Sequence, residues 1–366
     1  MAGIGPPACP RKRDWEAEVL TTRDKPLVTV VLPAYNEEAI LEHNVGVLLK
    51  YFDTLTDRYR WEVIIVNDGS SDETGRIADR LADRNEIITA VHHGVNFGLG
   101  QAFKTAFRMS KGDYVVTLDV DLSYSPEHVE WLLSEIESTP AKLVLASPYM
   151  KGGTISNVPT LRRILSVYAN RFLSFFAQGH LSTLTCMVRA YDGKFVRQLD
   201  LRSTGMDIMP ETVYKGMILR AKIVQIPAHL DWGLQQKAGP RRRSSMRILR
   251  HILATILSGF IFRPFMFFVM PGLLLLGLST YVNIWMLIHI AEAYSAINVD
   301  VSLTGRLSAA VADAYAAYPH TFIVGLLSLM VAIQLISLGI VSLQSKTYFE
   351  EIFHLGSSIK RNQLDP

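Results

Sequence analysis

Tyr114-Val115-Val116-Thr117-Leu118-Asp119-Val120-Asp121 is an apolar strand that runs out into two carboxylates one residue apart. Alternate side chains of a strand share a face, so Asp119 and Asp121 point the same way if the extended backbone persists. Two hard oxygen ligands at the lip of a sheet suit a divalent cation that also holds phosphate oxygens. Such a pair lets an enzyme grip a nucleotide diphosphate and stabilise it as a leaving group. A bare Asp-x-Asp also occurs in solvated loops after strands, so its neighbours have to decide.

Strand, turn and helix alternate around it from Pro26 to about Pro227. Short apolar runs at Val28–Leu32, Glu62–Val66, Ile87–Val91 and Lys142–Ala146 predict four further strands. Leu41, Leu48 and Leu49 mark one helix, and Ile77, Ala78 and Leu81 share a face of the next, whose start carries Asp72 and Glu73. Ser125-Pro126-Glu127 opens another. This alternation predicts an α/β domain with a mostly parallel sheet covered by helices on both faces, and ligands bind beyond the carboxyl ends of such strands. Three polar clusters fall at those ends: Pro33–Glu38, Asn67–Asp72 and Asp119–Asp121. Gly98-Leu99-Gly100 partly imitates a dinucleotide fingerprint, with Asp119 nineteen residues on as a ribose-binding acid. Phe103 stands where that fingerprint needs a small residue, and the acid is doubled, so a hydride-transfer enzyme is the weaker reading.

Composition narrows the class. The 366 residues carry a net charge of +3, too little to imply nucleic acid, and no basic stripe is interleaved with aromatics. Two distant cysteines, Cys9 and Cys186, make neither a disulfide framework nor a zinc site and fit a reducing, cytoplasm-facing domain. Residues 1–25 lack the apolar core of a targeting signal and read as a mobile tail. Mean hydropathy is +0.19, with the apolar excess almost wholly after residue 251.

Val31-Leu-Pro-Ala-Tyr-Asn-Glu-Glu38, Val66-Asn-Asp-Gly-Ser-Ser-Asp72, Asn96-Phe-Gly-Leu-Gly100 and Leu118-Asp-Val-Asp-Leu122 have the order and spacing found in family 2 glycosyltransferases. Over residues 27–245 the chain resembles their polyprenyl-phosphate branch, the dolichyl-phosphate mannose synthases and bacterial undecaprenyl-phosphate sugar transferases. The resemblance implies a GT-A fold, Rossmann-like with a mostly parallel sheet, over residues 26–240. It implies that Pro33, Tyr35, Glu37 and Asp68 contact the nucleoside, and that Asp119 and Asp121 hold Mg²⁺ or Mn²⁺ against the diphosphate of a nucleotide sugar. Ser123 stands where many relatives have glutamine as a further ligand. Thr185-Cys-Met-Val-Arg-Ala-Tyr191 resembles a family stretch whose arginine, here Arg189, would bind an acceptor phosphate through its planar fork. Glu211 aligns with a family glutamate of the following helix; equally, it is an acid placed at a helix N-terminus by dipole preference.

The C-terminal third points to the acceptor. Arg241-Arg-Arg-Ser-Ser-Met-Arg-Ile-Leu-Arg250 holds five arginines, and Leu249, Ile252, Leu253 and Ile256 recur at helical spacing. A basic amphipathic helix over 241–263 is expected in the membrane interface, with Arg241, Arg242 and Arg243 beside an acceptor phosphate. Pro264–Ile290 and Thr321–Gln344 are each about a bilayer span without charge, and Pro271 is placed to kink the first. They form a two-span transmembrane domain over 264–345, followed by a tail over 346–366, with a short exported loop between the spans. Arginines before the first span and Lys346, Lys360 and Arg361 after the second put both termini and the catalytic domain on the cytoplasmic side of an integral membrane protein. The expected function is metal-dependent, inverting transfer of one mannose- or glucose-like unit from a nucleotide diphosphate sugar to a polyprenyl phosphate. A lipid hydroxyl or glycan acceptor, or a catalytically silent membrane adaptor, are the alternatives, and the polar-interrupted spans allow a homo-oligomer.

Overall fold

A computed structural model describes residues 25–158, 181–231, 233, 264–297 and 302–364; the expected N-terminal tail and the basic helix over 241–263 lie outside them. The chain divides into two compact units, an α/β unit and a helical unit over Phe260–Phe353.

The α/β unit is built on β1 (Leu27–Ala34), β2 (Arg60–Asn67), β3 (Ile88–His92), β4 (Tyr114–Thr117) and β5 (Leu143–Ser147), the five predicted strands. β6 (Thr154–Ser156), β7 (Arg189–Asp192), β8 (Ile223–Pro227) and β9 (His229–Asp231) join them. The main sheet has the order β3-β2-β1-β4-β7-β5-β8, while β6 and β9 pair as a separate ribbon. Every contact in the main sheet is parallel except those of β7, which runs antiparallel between β4 and β5.

The strand period of two explains the near-continuous apolar runs. Val30, Leu32, Val63, Ile65 and Val116 enter one core, with Leu41, Val45, Leu48 and Phe52 of α1 (Leu41–Asp53), Ile77, Ala78 and Leu81 of α2 (Thr74–Arg84), and Val129, Leu132 and Leu133 of α4 (Glu127–Ser138). Val31, Ile64, Val115 and Tyr191 are buried on the other face, where Phe107 of α3 (Leu99–Met109) meets the Tyr191 ring edge-on. Two short helices, α5 (Gly193–Gln198) and α6 (Ile208–Ile218), complete the unit. The carboxyl ends of β1, β2 and β4 lie side by side through the pairings Val31↔Thr117 and Ala34↔Asn67, which brings the three polar clusters to one edge.

In the helical unit, α7 (Pro264–Ala296) continues through Pro271, and α9 (Pro319–Leu364) runs on past Lys346 instead of ending there. Both contain segments long and apolar enough to cross a membrane, Phe267–Ala296 and Pro319–Phe353, with mean hydropathy 1.8 and 2.4. The segment expected as an exported loop contains instead a helix, α8 (Leu303–Ala317), started by Ser302, whose hydroxyl accepts the Gly305 N–H. Alanine is the strongest helix former, and Ala310 and Ala314, one turn apart, are the buried face of α8. Asn283 binds α7 to α9: its side-chain amide reaches the Gly325 carbonyl at 3.1 Å, and the Ser279 hydroxyl reaches the same carbonyl at 3.0 Å.

Candidate active site

β4 stops at Thr117, so the two aspartates do not share a strand face as the extended reading requires. They converge through a turn instead. Leu122 donates its N–H to the Asp119 carbonyl at 3.3 Å, Ser123 donates its N–H to Asp121 Oδ1 at 2.9 Å, and Leu122 takes a left-handed φ of 50°. Burial, then the Asp121 carboxylate, then Glu37 push the Asp119 pKa well above the ordinary carboxylate range. Glu37, from the loop after β1, is therefore part of the same negative cluster. A carboxylate raised by its neighbours in this way is relieved by a cation. Among the described residues there is no group of three or more His, Cys, Asp or Glu arranged to hold a metal. A pair of carboxylates at a sheet edge is the donor set that Mg²⁺ accepts, since that ion binds through one or two carboxylates and takes its other ligands from phosphate and water. Ser123 is buried; its N–H serves the turn, and its carbonyl accepts the Asp231 N–H at 2.9 Å.

The edge at which the sequence places the nucleoside contacts is made of two cross-linked loops. Asp68 donates its N–H to the Ala34 carbonyl at 2.9 Å, Asn36 to Ser70 Oγ at 3.0 Å, and Glu37 to Thr74 Oγ1 at 2.8 Å. Tyr35, 41% exposed, and the half-buried Pro33 and Glu37 stand at this edge. Asp68, at the same edge, is 4% exposed, and its carboxylate accepts the N–H groups of Phe97 at 3.0 Å and Gly98 at 2.8 Å. His93 Nδ1 lies 2.7 Å from the same carboxylate. Asp68 braces the Asn96–Gly100 loop.

The glycines of that loop have a packing reason. Gly98 has φ +95°, and a Cβ there would lie 2.5 Å from the Thr204 carbonyl oxygen; at Gly100 it would lie 2.6 Å from that of Ser203. Thr204 in turn accepts the Gly100 N–H at 2.7 Å, capping the start of α3. The dinucleotide-like spacing is thus a dock for residues 203–205, and Phe103 belongs to the apolar core.

Glu211 holds the other side of that dock. Its carboxylate accepts the N–H groups of Arg202 at 2.8 Å and Ser203 at 2.9 Å and pairs with Lys215 at 2.6 Å. Burial alone would raise its pKa, but these bonds outweigh it and hold the group below its ordinary value.

Arg189 departs furthest from expectation. It is completely buried, with Nε donating to the Cys186 carbonyl at 2.6 Å and Nη2 to the Leu184 carbonyl at 2.7 Å. Nη1 reaches the Met209 carbonyl at 2.8 Å and Thr212 Oγ1 at 2.7 Å. Four of the five guanidinium N–H donors are committed inside the protein, so the expected phosphate contact gives way to a structural one. Arg189 staples the 184–187 loop to the first turn of α6. That loop lies beside the carboxylate turn, because the Thr117 hydroxyl donates to the Met187 carbonyl at 2.6 Å. Arg241, Arg242 and Arg243 lie outside the described residues.

A family model described as Glycosyl transferase family 2 matches residues 29–201. Glycosyltransferase AglD of Haloferax volcanii is 32% identical over 164 residues, 45% of this chain and 26% of AglD. Polyprenol monophosphomannose synthase of Mycolicibacterium smegmatis is 28% identical over 62% of this chain and 86% of its own length. Undecaprenyl-phosphate mannosyltransferase of Micrococcus luteus is 30% identical over 55% of this chain and 82% of its own. The chain therefore spans about a quarter of AglD and most of the other two. A crystal structure of glucosyl-3-phosphoglycerate synthase from Mycobacterium tuberculosis aligns over 68% of this chain and 84% of that one, at 20% identity and a TM-score of 0.49. Kinship along most of a relative that shares 30% of its residues, on a sheet that gathers the family's motifs at one edge, makes this chain a member of glycosyl transferase family 2, with a GT-A-like catalytic unit.

Proposed function

We propose that this glycosyltransferase moves a single sugar, mannose or another hexose such as glucose, from a nucleotide diphosphate sugar to a polyprenyl phosphate in the bilayer. The observation that carries the reading is the presence, in one chain, of the Asp119–Asp121 carboxylate turn and of two apolar helices long enough to span a membrane. Relatives named for transfer to polyprenol, undecaprenyl phosphate and dolichol phosphate support it.

The chemistry follows from the acceptor. A phosphate monoester with a second pKa near ~6 is largely dianionic at neutral pH, so the nucleophile needs no side-chain base. Glu211, the plausible base for a hydroxyl acceptor, is tied to Lys215 and two main-chain amides and shifted down, which favours the phosphate reading. Asp119 and Asp121 would hold Mg²⁺ or Mn²⁺, whose charge offsets that of the departing diphosphate. Around that centre the chain positions and encloses. The cross-linked loops bearing Pro33, Tyr35 and Glu37 face the nucleoside, and the Asp68 strut shapes the loop beside it. Arg241–Arg243, just before the first span, are the cations proposed to meet the lipid phosphate. A single displacement inverts the anomeric centre. Basic residues before the first span and at Lys346 favour a catalytic unit and both termini on the cytoplasmic side.

The test incubates detergent-purified protein with Mg²⁺, a polyprenyl phosphate and a panel of labelled nucleotide sugars. Label from one donor should enter the organic phase and be lost with EDTA. Metal-dependent release of nucleotide without lipid product would assign a different acceptor, and the absence of both would overturn the proposal.

A further inference from the structure

Two residues outside the expected motifs grip the carboxylate turn from its flanks. Asn44 of α1, 8% exposed, donates from Nδ2 to the carbonyl of Val120 at 2.8 Å. Val120 is the residue between the two aspartates, so this bond fixes the peptide plane joining it to Asp121 and with it the direction in which that side chain leaves the backbone. On the far side, Asp231 donates its main-chain N–H to the carbonyl of Ser123 at 2.9 Å. Asp231 ends the β6–β9 ribbon, where it faces Ser156 and its carboxylate accepts from Asn157 Nδ2 at 2.6 Å and the Gly233 N–H at 2.8 Å. The ribbon is itself anchored on the first turn of α4, since the His229 N–H donates to Nε2 of the buried His128 at 3.0 Å.

The turn needs such support. Leu122 sits at φ 50°, a left-handed conformation that a non-glycine residue adopts only under constraint from its surroundings.

We propose that Asn44 and the β6–β9 ribbon, acting through Asp231, are positioning elements that hold Asp119 and Asp121 in register for the divalent cation. This rests on the metal assignment made above. Asn44 acts through a backbone carbonyl and touches neither substrate nor metal. It is more than a satisfied core amide, because its acceptor lies inside the metal-binding turn.

Mn²⁺ binding to the full-length protein tests this directly, with free Mn²⁺ followed by EPR in the presence of UDP or of GDP in separate titrations. Removal of a partner that orients a metal ligand costs about 10–100-fold in metal affinity, so Asn44→Ala should weaken Mn²⁺ binding by that factor. Asn157→Ala changes an exposed side chain and should shift affinity in the same direction by less. Asn85→Ala removes a comparable bond, from Nδ2 to the Leu81 carbonyl at 2.9 Å, far along the chain from the turn. It should lower thermal stability and leave Mn²⁺ affinity unchanged. Unchanged affinity in both Asn44→Ala and Asn157→Ala, or an equal loss in Asn85→Ala, would overturn the positioning role. Should Asn44→Ala fail to fold, Asn157→Ala against Asn85→Ala decides it. A wild-type protein that binds no Mn²⁺ with either nucleotide would overturn the metal assignment itself.

Discussion

Replacing Arg189 by methionine separates a structural arginine from a phosphate ligand. Methionine keeps most of the aliphatic stem and deletes a guanidinium that serves the Cys186, Leu184 and Met209 carbonyls and the Thr212 hydroxyl. Bonds from a charged donor are worth about 1.5–3 kcal/mol each, but they are not additive. The Met209 carbonyl also accepts from the Thr212 hydroxyl at 2.9 Å and so keeps a donor. Buried acceptors left short of a donor cost about 1–3 kcal/mol each, so a loss of about 3–5 kcal/mol is expected here. It is a large share of the ~5–15 kcal/mol that stabilises a typical domain. At about 2–4 °C per kcal/mol for a unit of this size, Tm should fall by about 6–20 °C. Near-UV circular dichroism in detergent would follow unfolding, and the polyprenyl phosphate giving half-maximal rate would be measured well below the new Tm. The expected result is a large drop in Tm with no selective change in acceptor requirement. A variant that melts like the wild type yet needs far more lipid phosphate would refute the reasoning and return Arg189 to the acceptor.

Asp121→Asn should lower kcat by about 10²–10³-fold, the usual effect of removing one electrostatic stabiliser of a leaving group; a wild-type rate across Mg²⁺ concentrations would exclude the metal role. Because the folded-state pKa of Asp119 lies above its unfolded value, chelator-treated protein should lose stability as pH rises from about 4 toward that raised pKa. Added Mn²⁺ should restore the loss, which thermal melts at several pH values with and without EDTA would reveal. For Glu211 the sign is opposite. Its lowered pKa gives stability that is complete above about pH 4.3 and lost as pH falls through the folded value, so Glu211→Gln should destabilise at pH 7 and match wild type in strong acid. Gly100→Ala drives a Cβ to 2.6 Å from the Ser203 carbonyl oxygen and should cost about 1–3 kcal/mol, read as a lower denaturation midpoint.

The strands with unbroken Val and Ile runs, the three polar clusters at their carboxyl ends and the two span-length helices were legible in the sequence because burial on both faces, or in lipid, leaves a dense apolar signal. β7 was not. Its four residues, Arg-Ala-Tyr-Asp, carry an arginine toward the interior, and nothing local marks an arginine whose partners are carbonyls and a hydroxyl up to 23 residues away. Gly98 and Gly100 could be read as a phosphate cradle because their real neighbours, residues 203–205, lie a hundred positions downstream. Asp119 and Asp121 were found for a reason that the backbone revised: a turn, not a strand, brings them together. α8 was hidden by Arg306 and Asp313, which in an apolar region look like loop charges; the Arg306 guanidinium instead lies over the Tyr294 ring, 4.4 Å from its centroid.

The bonds that tie the loop after β1 to the loop after β2 have a thermodynamic consequence. Ala34–Glu38 and Asn67–Thr74 hold each other through bonds among Asn36, Glu37, Asp68, Ser70, Ser71 and Thr74. If a nucleotide binds here as proposed, its conformational entropy cost should be small, because each loop braces the other. Its heat-capacity change should scale with the apolar surface that the nucleotide itself covers, with no added contribution from folding of loops. The nucleotide edge should therefore behave calorimetrically as a rigid receptor.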